Sequence, residues 1–351
     1  MDSLYPRGQL VLRGCPAYTA PHNDTHPYGD TMLSRFLLVA LSALALGPVH
    51  AADAYPDRPV RIVVGQAAGG GMDTLARLLS EQMGESLGKP VVVENKSGAG
   101  GVIGTEFVAK ADPDGYTLML APIGNMVFTT ILTPNLRYSP QKDFTPVAML
   151  ATFPLVLLVK SDLPVATLPE LVEYLRKHPD RANYGGSGPA FQFASEMFKL
   201  RAKVPGEFIQ YRSMGETITA IASGDLAMAL VDTGPAISGL AGGKVKALAV
   251  TSPQRLAALP GVPTVTELGL PELEIEYWAG LFAPAKTPPA VVKRLEGDAA
   301  KALRNARVAE RMKGLNMVPG AGGAEQLARA LDTDLRKWSD VARSANIQAA
   351  R

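Results

Sequence analysis

The chain has 351 residues, of which 47% are hydrophobic, enough for two domains of ordinary size that each have a core. Only 19% are charged, and 35 basic residues against 33 acidic ones give a formal net charge of +2. This near-balance argues against a nucleic-acid partner, which needs a basic surplus on one face.

Residues 1–51 are predicted to precede the folded protein. From Met32 onward, a single basic residue is followed by an apolar run at 36–46 and a Val-x-Ala sequence that ends at Ala51. This order is typical of a secretory signal peptide, and the run is shorter than the stretch of about 20 residues that spans a bilayer. We therefore expect translation to start at Met32, the residues before it to be an upstream extension, and cleavage after Ala51 to release an exported protein.

Cysteine and histidine are scarce after Ala51: residues 52–351 contain no Cys and a single His, His178. A disulfide framework, a Cys nucleophile and a zinc site built from Cys and His are therefore excluded. A Ser-His-Asp triad would need His178, which lies at the end of a predicted helix stopped by Pro179, where a cation favours the helix dipole. We predict no catalytic residue, no metal and no cofactor.

The first part of the mature chain alternates strands, Gly-rich loops and helices. Its apolar runs lack polar alternation, which suits parallel strands covered on both faces. The predicted strands lie at 58–64, 90–95 and 116–120, and the helices at 75–83 and in the segment that ends at 111.

A second α/β unit follows a long apolar stretch at 147–160, predicted as one strand interrupted at Pro154. Its predicted helices lie at 168–177, 194–202, 216–223 and 237–241, and its strands at 183–184, 208–211, 228–231 and 247–251. A Pro-punctuated segment then leads to a last strand at 278–283 and to helices at 290–306, 308–313 and 324–344.

Strands that alternate with helices at this spacing predict an α/β fold with right-handed crossovers. We expect two α/β lobes joined by two crossing strands, near 152–157 and 276–281. Lobe 1 would comprise 52–155 and 277–351, and lobe 2 would comprise 156–276, with the last helices packed on lobe 1.

Three Gly-rich loops, at 66–73, 95–101 and 184–190, each join a strand to a helix. Glycines allow the backbone to approach a ligand closely, and the N–H groups at the start of the following helix bind an anion without a Lys or Arg. Ligands of open α/β sheets bind beyond the carboxyl ends of the strands, where these loops lie. The three loops together predict a ligand cleft.

The spacing of residues in the Gly-rich segments excludes three other kinds of site. A dinucleotide fingerprint after the strand at 91–95 would need Gly in place of Ile103. Lys244 follows two glycines but is not followed by the Ser or Thr of a Walker A loop. A nucleophile elbow around Ser187 would need Gly where Pro189 stands.

Four polar or aromatic residues have two open interpretations each. Asp73 and Asp232 either contact a ligand or cap a helix. Asn125 follows the third strand at the end where the loops gather, and either contacts the cleft or does not. Trp278 either walls the pocket or belongs to the core.

Eight ordered segments match one known family. They include Gly69-Gly70-Gly71 with Asp73, Pro90-Val-Val-Val-Glu-Asn95 with its following glycines, and Trp278-Ala-Gly-Leu-Phe-Ala-Pro284, and the others lie at 55–64, 113–118, 142–147, 247–251 and 259–264. On these segments, residues 55–348 resemble the Bug family of periplasmic solute receptors, also called tripartite tricarboxylate transporter receptors.

The resemblance implies a two-lobed, type II periplasmic-binding-protein fold that closes on a ligand in the periplasm. It also implies that loop backbone groups and ordered water hold a carboxylate, and that many members deliver it to the permease subunits of a membrane transporter. Carried over by position, the ligand-binding residues are Gln66, Ala68, Gly69, Gly70, Gly71, Met72 and Asp73 in the first loop, Ser187, Gly188, Ala190 and Phe191 at the second-lobe loop, and Asn125, Tyr211, Asp232, Thr233 and Trp278 elsewhere.

The chain departs from the family pattern in the recognition loops. Residues 65–68 are Gly-Gln-Ala-Ala where the family usually has Pro-Phe-x-Pro, and Met72 replaces a common Thr. The loop at 184–190 is about two residues shorter than in the family pattern. Phe191 and Phe193 stand where Ser, Thr and His are usual. Our hypothesis is an apolar wall for a larger or aromatic carboxylate, formed by Met72, Phe191, Phe193, Tyr211 and Trp278.

The sequence therefore predicts a periplasmic receptor, not an enzyme, that captures an organic carboxylate and releases it unaltered to a transporter. A monomer suits a receptor that opens and closes. Two alternatives stay open: an exported enzyme that converts a carboxylate, and a ligand-sensing receptor for a signalling partner.

Overall fold

This computed structural model describes residues 55–320 and 322–348. They form an α/β protein built on one mixed sheet, which confirms the predicted fold class. The predicted upstream extension and signal peptide, with their boundaries at Met32 and Ala51, lie outside the described residues.

The sheet of the described residues has ten strands. Its central strands coincide with the apolar runs, because both of their faces are covered. The strands are β1 (Val60–Val64), β2 (Val91–Asn95), β3 (Thr117–Pro122), β4 (Phe144–Lys160), β5 (Tyr184–Gly186), β6 (Phe208–Gln210), β7 (Met228–Asp232), β8 (Val245–Val250), β9 (Glu276–Pro284) and β10 (Val318–Pro319).

Helices fill the connections between the strands. The α-helices are α1 (Gly71–Leu87), α2 (Val102–Ala109), α3 (Thr129–Leu132), α4 (Pro140–Asp143), α5 (Leu168–Lys177), α6 (Pro189–Ala202), α7 (Met214–Ser223), α8 (Thr233–Ala241), α9 (Pro289–Arg304), α10 (Ala306–Gly314) and α11 (Ala324–Ser344). A π-helical turn, Gly124–Phe128, leads into α3. No helix in this part of the chain has the length and apolar character needed to cross a membrane.

The strand order is β2-β1-β3-β9-β4-β7-β5-β6, and β8 and β10 also pair with β4. β1 is parallel to β2 and β3, and β5 is parallel to β6 and β7. β4 and β9 run antiparallel to each other and to their other partners. The parallel ladders place the ends of β1, β2 and β5 next to the three Gly-rich loops, as the sequence predicts.

β4 is the strand that the two halves of the sheet share. Its first part pairs with β9 up to Pro154, and its second part pairs with β7 and β8 from Leu155 onward. The predicted interruption at Pro154 was wrong, because the residue without an N–H lies where the strand changes partners. The ladder continues there through Thr251, whose hydroxyl accepts a hydrogen bond from the Leu155 N–H at 2.9 Å.

Three hydrophobic clusters cover the sheet. Residues of α1, α9 and α10 pack on one face of the half that contains β1 and β3. α6 and α11 contribute to a second cluster that runs along the other face of both halves. α7 and α8 cover the remaining face of the half that contains β7. The last helices thus pack on α1 and β4, and α11 also reaches α6.

Two helices begin earlier than the apolar pattern predicts. α1 begins at Gly71 and not at 75, and α6 begins at Pro189 and not at 194. Their first turns contain Gly and Pro, which have low helix propensity in general, although Pro is favoured at the first helical position. This earlier start places the helix N-termini inside the Gly-rich loops.

Candidate ligand-binding site

The N-terminus of α1 presents unpaired backbone donors in the first Gly-rich loop. Gly70 occupies the cap position, and no side chain caps the helix there. Within the described residues, the N–H groups of Gly71 and Met72 have no hydrogen-bond partner. Free N–H groups and the positive end of the helix dipole make this turn suited to an anion.

Asp73 is engaged inside this loop. Its carboxylate accepts hydrogen bonds from the Gly69 N–H at 2.9 Å and from Arg77 Nε at 3.0 Å, and the residue is only 3% exposed. The Arg77 guanidinium and the Gly69 N–H outweigh burial and lower the pKa of Asp73 to about 2. Asp73 therefore closes its own loop, and the structure does not present it to a ligand amine.

A chain of amides connects the first two Gly-rich loops. Gln66 Nε2 donates to Asn125 Oδ1 at 2.7 Å, and Asn125 Nδ2 donates to the Gly100 carbonyl at 2.7 Å. Asn95 Nδ2 donates to the Gln66 carbonyl at 3.2 Å. Asn125 is 2% exposed and lies in the π-helical turn, so its amide braces the loops. Gln66 Oε1 is buried and has no hydrogen-bond partner among the described residues.

The N-terminus of α6 repeats the arrangement. Gly188 adopts a φ of 92°, which favours glycine, and Pro189 occupies the first turn. The N–H groups of Ala190 and Phe191 have no partner among the described residues. The Ala190 carbonyl accepts a hydrogen bond from the Tyr277 hydroxyl, which fixes the start of the helix against β9.

Half-buried side chains surround the loop at 184–190. A Cβ at Gly186 would lie 2.5 Å from Cβ of Phe191, and one at Gly185 would lie 3.0 Å from the Tyr211 ring. The Tyr211 N–H donates to the Gly186 carbonyl at 2.9 Å. Phe191 and Tyr211 therefore each contact one β5 glycine, Phe191 on the α6 side of the sheet and Tyr211 on the opposite face. Ser187 is half-buried beside them.

Asp232 and Thr233 lie at the start of α8. The Thr233 hydroxyl donates to the Pro154 carbonyl at 3.1 Å, so Thr233 ties α8 to the shared strand β4. Asp232 occupies the cap position of α8, but its side chain makes no capping hydrogen bond. Burial raises the pKa of the Asp232 carboxyl.

Two residues after α10 connect these helix starts. A Cβ at Gly71 would lie 3.4 Å from Cε of Met317, and one at Gly234 would lie 3.2 Å from Nδ2 of Asn316. Asn316 was not among the predicted site residues. Its signal in the sequence is an Asn after a helix, a position that favours the left-handed conformation it adopts at a φ of 56°. The N-termini of α1 and α8 therefore lie on either side of residues 316–317.

The structure places two residues of the expected apolar wall in the core. Trp278 is 2% exposed, and its indole N–H donates to Asp334 at 2.8 Å. Phe193 is fully buried and stacks on Phe128, with ring centroids 4.7 Å apart. β9 is covered on both faces and α6 packs under α11, so both rings face inward. Met72, Phe191 and Tyr211 are half-buried.

No group of three or more His, Cys, Asp or Glu side chains in the described residues is arranged to hold a metal ion. The site consists of backbone N–H groups at uncapped helix starts, amides and a few apolar side chains. On this α/β scaffold, the two uncapped helix starts are suited to a negatively charged ligand.

The chain belongs to the tripartite tricarboxylate transporter family receptors, TctC, whose family model matches residues 75–347. It is 36% identical over 319 residues to a protein encoded in the ttuE-ttuC' intergenic region of Agrobacterium vitis, which covers 90% of this chain and 91% of the relative. It is 31% identical to protein BugT of Bordetella pertussis, over 88% of this chain and 94% of the relative. The resemblance to the Bug family is thereby confirmed.

Solved structures show the same fold. MatC from Rhodopseudomonas palustris, determined with bound malate, is 34% identical and aligns with a TM-score of 0.62 over 82% of this chain and 99% of its own. The R. palustris protein Rpa4515, determined with adipate, is 30% identical and aligns with a TM-score of 0.66 over 84% of this chain and 100% of its own. The fold of this chain is therefore that of the periplasmic solute-binding receptors of this family.

Proposed function

We propose that the chain is a periplasmic receptor that captures an organic carboxylate and releases it unaltered to the permease subunits of a tripartite transporter. One observation carries the proposal: within the described residues, the N–H groups of Gly71, Met72, Ala190 and Phe191 have no hydrogen-bond partner at two uncapped helix N-termini. Family relatives that were determined with malate and adipate support a carboxylate as the ligand.

Backbone donors suit a ligand that must leave again. A buried side-chain cation would be left unpaired when the carboxylate departs, which costs several kcal/mol, whereas N–H groups at an open helix end exchange the ligand for water. Uncapped helix starts therefore favour capture and release. The proposed receptor does not change the ligand chemically.

The ligand would lie between two lobes that close on it. Lobe 1 would comprise 52–155 and 277–351, with the α1 loop, and lobe 2 would comprise 156–276, with the α6 loop and α8. The shared strand β4 supports this division, because its partners change between Pro154 and Leu155. Closure as a monomer would bring the free N–H groups of both loops onto one carboxylate.

The half-buried side chains suggest the shape of the ligand. Met72 follows Gly71 in α1, and Phe191 and Tyr211 each contact one β5 glycine. Phe191 lies on the α6 side of β5, whereas Tyr211 lies on the opposite face and Met72 packs against the cluster that contains α1. Apolar side chains thus remain beside both loops after Phe193 and Trp278 are assigned to the core. They support a larger or aromatic carboxylate over a short polyacid.

A binding screen tests the proposal. Residues 52–351 would be titrated with matched carboxylates and carboxamides, such as phenylacetate and phenylacetamide, beside malate and adipate. We expect carboxylates alone to bind, and a ligand at 100 times its Kd to add about 2.7 kcal/mol to the free energy of unfolding. Chromatography should recover the compound unchanged. Stabilisation by amides and acids alike, or the appearance of a product, would refute the proposal.

Gly71 offers a matched pair of variants for the same screen. Gly70 is extended, with a φ of −75° and a ψ of 172°, which is compatible with a following proline. Gly71→Pro removes one free N–H at the first helical position, whereas Gly71→Ala retains it. Because a hydrogen bond to a charged group contributes about 1.5–3 kcal/mol, we expect G71P to bind the carboxylate at least about tenfold more weakly than G71A.

A further inference from the structure

Asp232 lies at the carboxyl end of β7 and points toward the loop at 184–190. Side chains alternate along a strand, and Met228 and Leu230 belong to the cluster that contains α6 and Tyr277, whereas Ala229 and Val231 belong to the opposite cluster. Asp232 continues the Met228 and Leu230 side. Its carboxylate therefore faces the side of the sheet on which α6 begins.

Helix capping does not account for Asp232. Thr167, Ser213 and Asn305 each cap a helix in this chain, and their side chains accept hydrogen bonds from the first-turn N–H groups. Asp232 occupies the same position before α8 and accepts none. Within residues 55–320 and 322–348, its carboxylate has neither a hydrogen-bond donor nor a cation.

The fully buried carboxylates of the described residues are paired. Asp73 contacts Arg77, Asp298 contacts Arg294 at 2.7 Å, and Asp334 contacts Lys337 at 3.0 Å. Glu196 lies 3.6 Å from Lys199. Asp232 is half-buried and has no such partner among the described residues, so its carboxylate is a free hydrogen-bond acceptor.

Nearby groups leave this acceptor free. Tyr277 is close enough for the Asp232 charge to contribute to its raised pKa, but its hydroxyl donates to the Ala190 carbonyl. Through its hydrogen bond to the Ala190 carbonyl, Tyr277 connects Asp232 to the turn that carries the free N–H groups of Ala190 and Phe191. The parallel register of β5 and β7, which pairs Tyr184 with Met228, also places the end of β7 beside this turn. A carboxylate on those N–H groups would therefore have Asp232 nearby as a hydrogen-bond acceptor.

We propose that Asp232 accepts a hydrogen bond from the bound compound, so that the site selects organic carboxylates that also carry a hydroxyl or amine donor. This inference rests on the proposed function and narrows its ligand class. A donor that meets an ionised acceptor is bound in a fixed orientation, with its carboxylate on α6 and its donor on β7. The analogue that lacks the donor leaves Asp232 desolvated and unpaired.

Pairs of probes that differ in one donor test this selection. 4-Hydroxyphenylacetate is compared with phenylacetate, and 3-hydroxybutyrate and 4-aminobutyrate are compared with butyrate, by calorimetric titration. We expect the wild-type protein to prefer at least one donor-bearing member by about 10- to 100-fold. Asp232→Leu should lose at least tenfold more affinity for that member than for its donor-free partner.

Two further variants keep the test decisive. Asp232→Asn preserves the shape of the side chain and removes its charge, so it should reduce the preference and should unfold at the wild-type temperature or higher. Asp162→Asn is the control, because Asp162 is an exposed carboxylate beside Lys160 on the surface. A preference that survives in both Asp232 variants, or is absent from the wild type, would overturn the inference alone. Failure of every carboxylate to bind the wild type would overturn the proposed function as well.

Discussion

Asp73 and Asp232 are two acidic residues at helix starts with opposite surroundings. Asp73 receives the Gly69 N–H and the Arg77 guanidinium, which lower its pKa, whereas burial without a partner raises the pKa of Asp232. The sequence gives both residues the same two interpretations, because an Asp before or inside the first turn of a helix either caps it or faces a ligand. Only the positions of Arg77 and of the Gly69 N–H in the structure distinguish the role of Asp73 from that of Asp232.

The Asp73 pairing predicts an acid-dependent stability. The folded pKa of Asp73 lies below the ordinary value of 3.8, so its contribution is complete above that pH and is lost as the pH falls toward 2. We expect Asp73→Asn to lower the free energy of unfolding by about 1–2 kcal/mol at pH 7, since the Arg77 side is solvent-exposed. Urea unfolding of both proteins between pH 7 and pH 2.5 should show this difference shrinking at the acid end.

Glu173→Gln is the control for this prediction. Glu173 and Lys177 also form an i,i+4 ion pair, but both side chains are about two-thirds exposed, so the loss should stay within about 0.5 kcal/mol. An Asp73→Asn effect equally small at pH 7, or constant down to pH 2.5, would show that Asp73 does not hold the loop.

At the scale of elements, the sequence predicted strands better than helix starts. Apolar runs without polar alternation identified the strands, since both faces of this sheet are covered. The first turns of α1 and α6 were not predicted as helical, because Gly and Pro occupy them. The π-helical turn at Gly124–Phe128 has no sequence pattern that predicts it. Those irregular places carry the candidate site, which is why its loops were predicted but its exact contacts were not.

The loop at 95–101 depends on one close approach. Gly101 adopts a φ of 98°, and a Cβ there would lie 2.2 Å from Nδ2 of Asn125. We expect Gly101→Ala to displace Asn125 from Gln66 and to lower the free energy of unfolding by at least about 1 kcal/mol more than Gly100→Ala. Gly100 is the matched control, because its φ is 65° and nothing lies within 4 Å of its Cβ position. Equal losses in urea unfolding would mean that the contact with Asn125 does not matter.

At the scale of the whole molecule, residues distant in sequence meet around the shared strand β4 and its neighbour β9. Phe128, Phe193, Tyr277 and Trp338 form one aromatic cluster, with ring centroids 4.7–6.1 Å apart. The sequence indicated that Phe193 and Trp278 are large and apolar, but not which way their rings point. That direction is set by α11, which begins more than 100 residues after Phe193 and covers both α6 and β4.

The most direct measurement is the backbone amide spectrum of isotope-labelled protein, titrated with a carboxylate that stabilises it. If backbone donors hold the ligand, the amide resonances of Gly71, Met72, Ala190 and Phe191 should shift together and saturate at the same ligand concentration. The carboxamide of the same compound should leave them in place. Binding of the carboxylate with these four resonances unmoved would contradict a site built from the two helix N-termini.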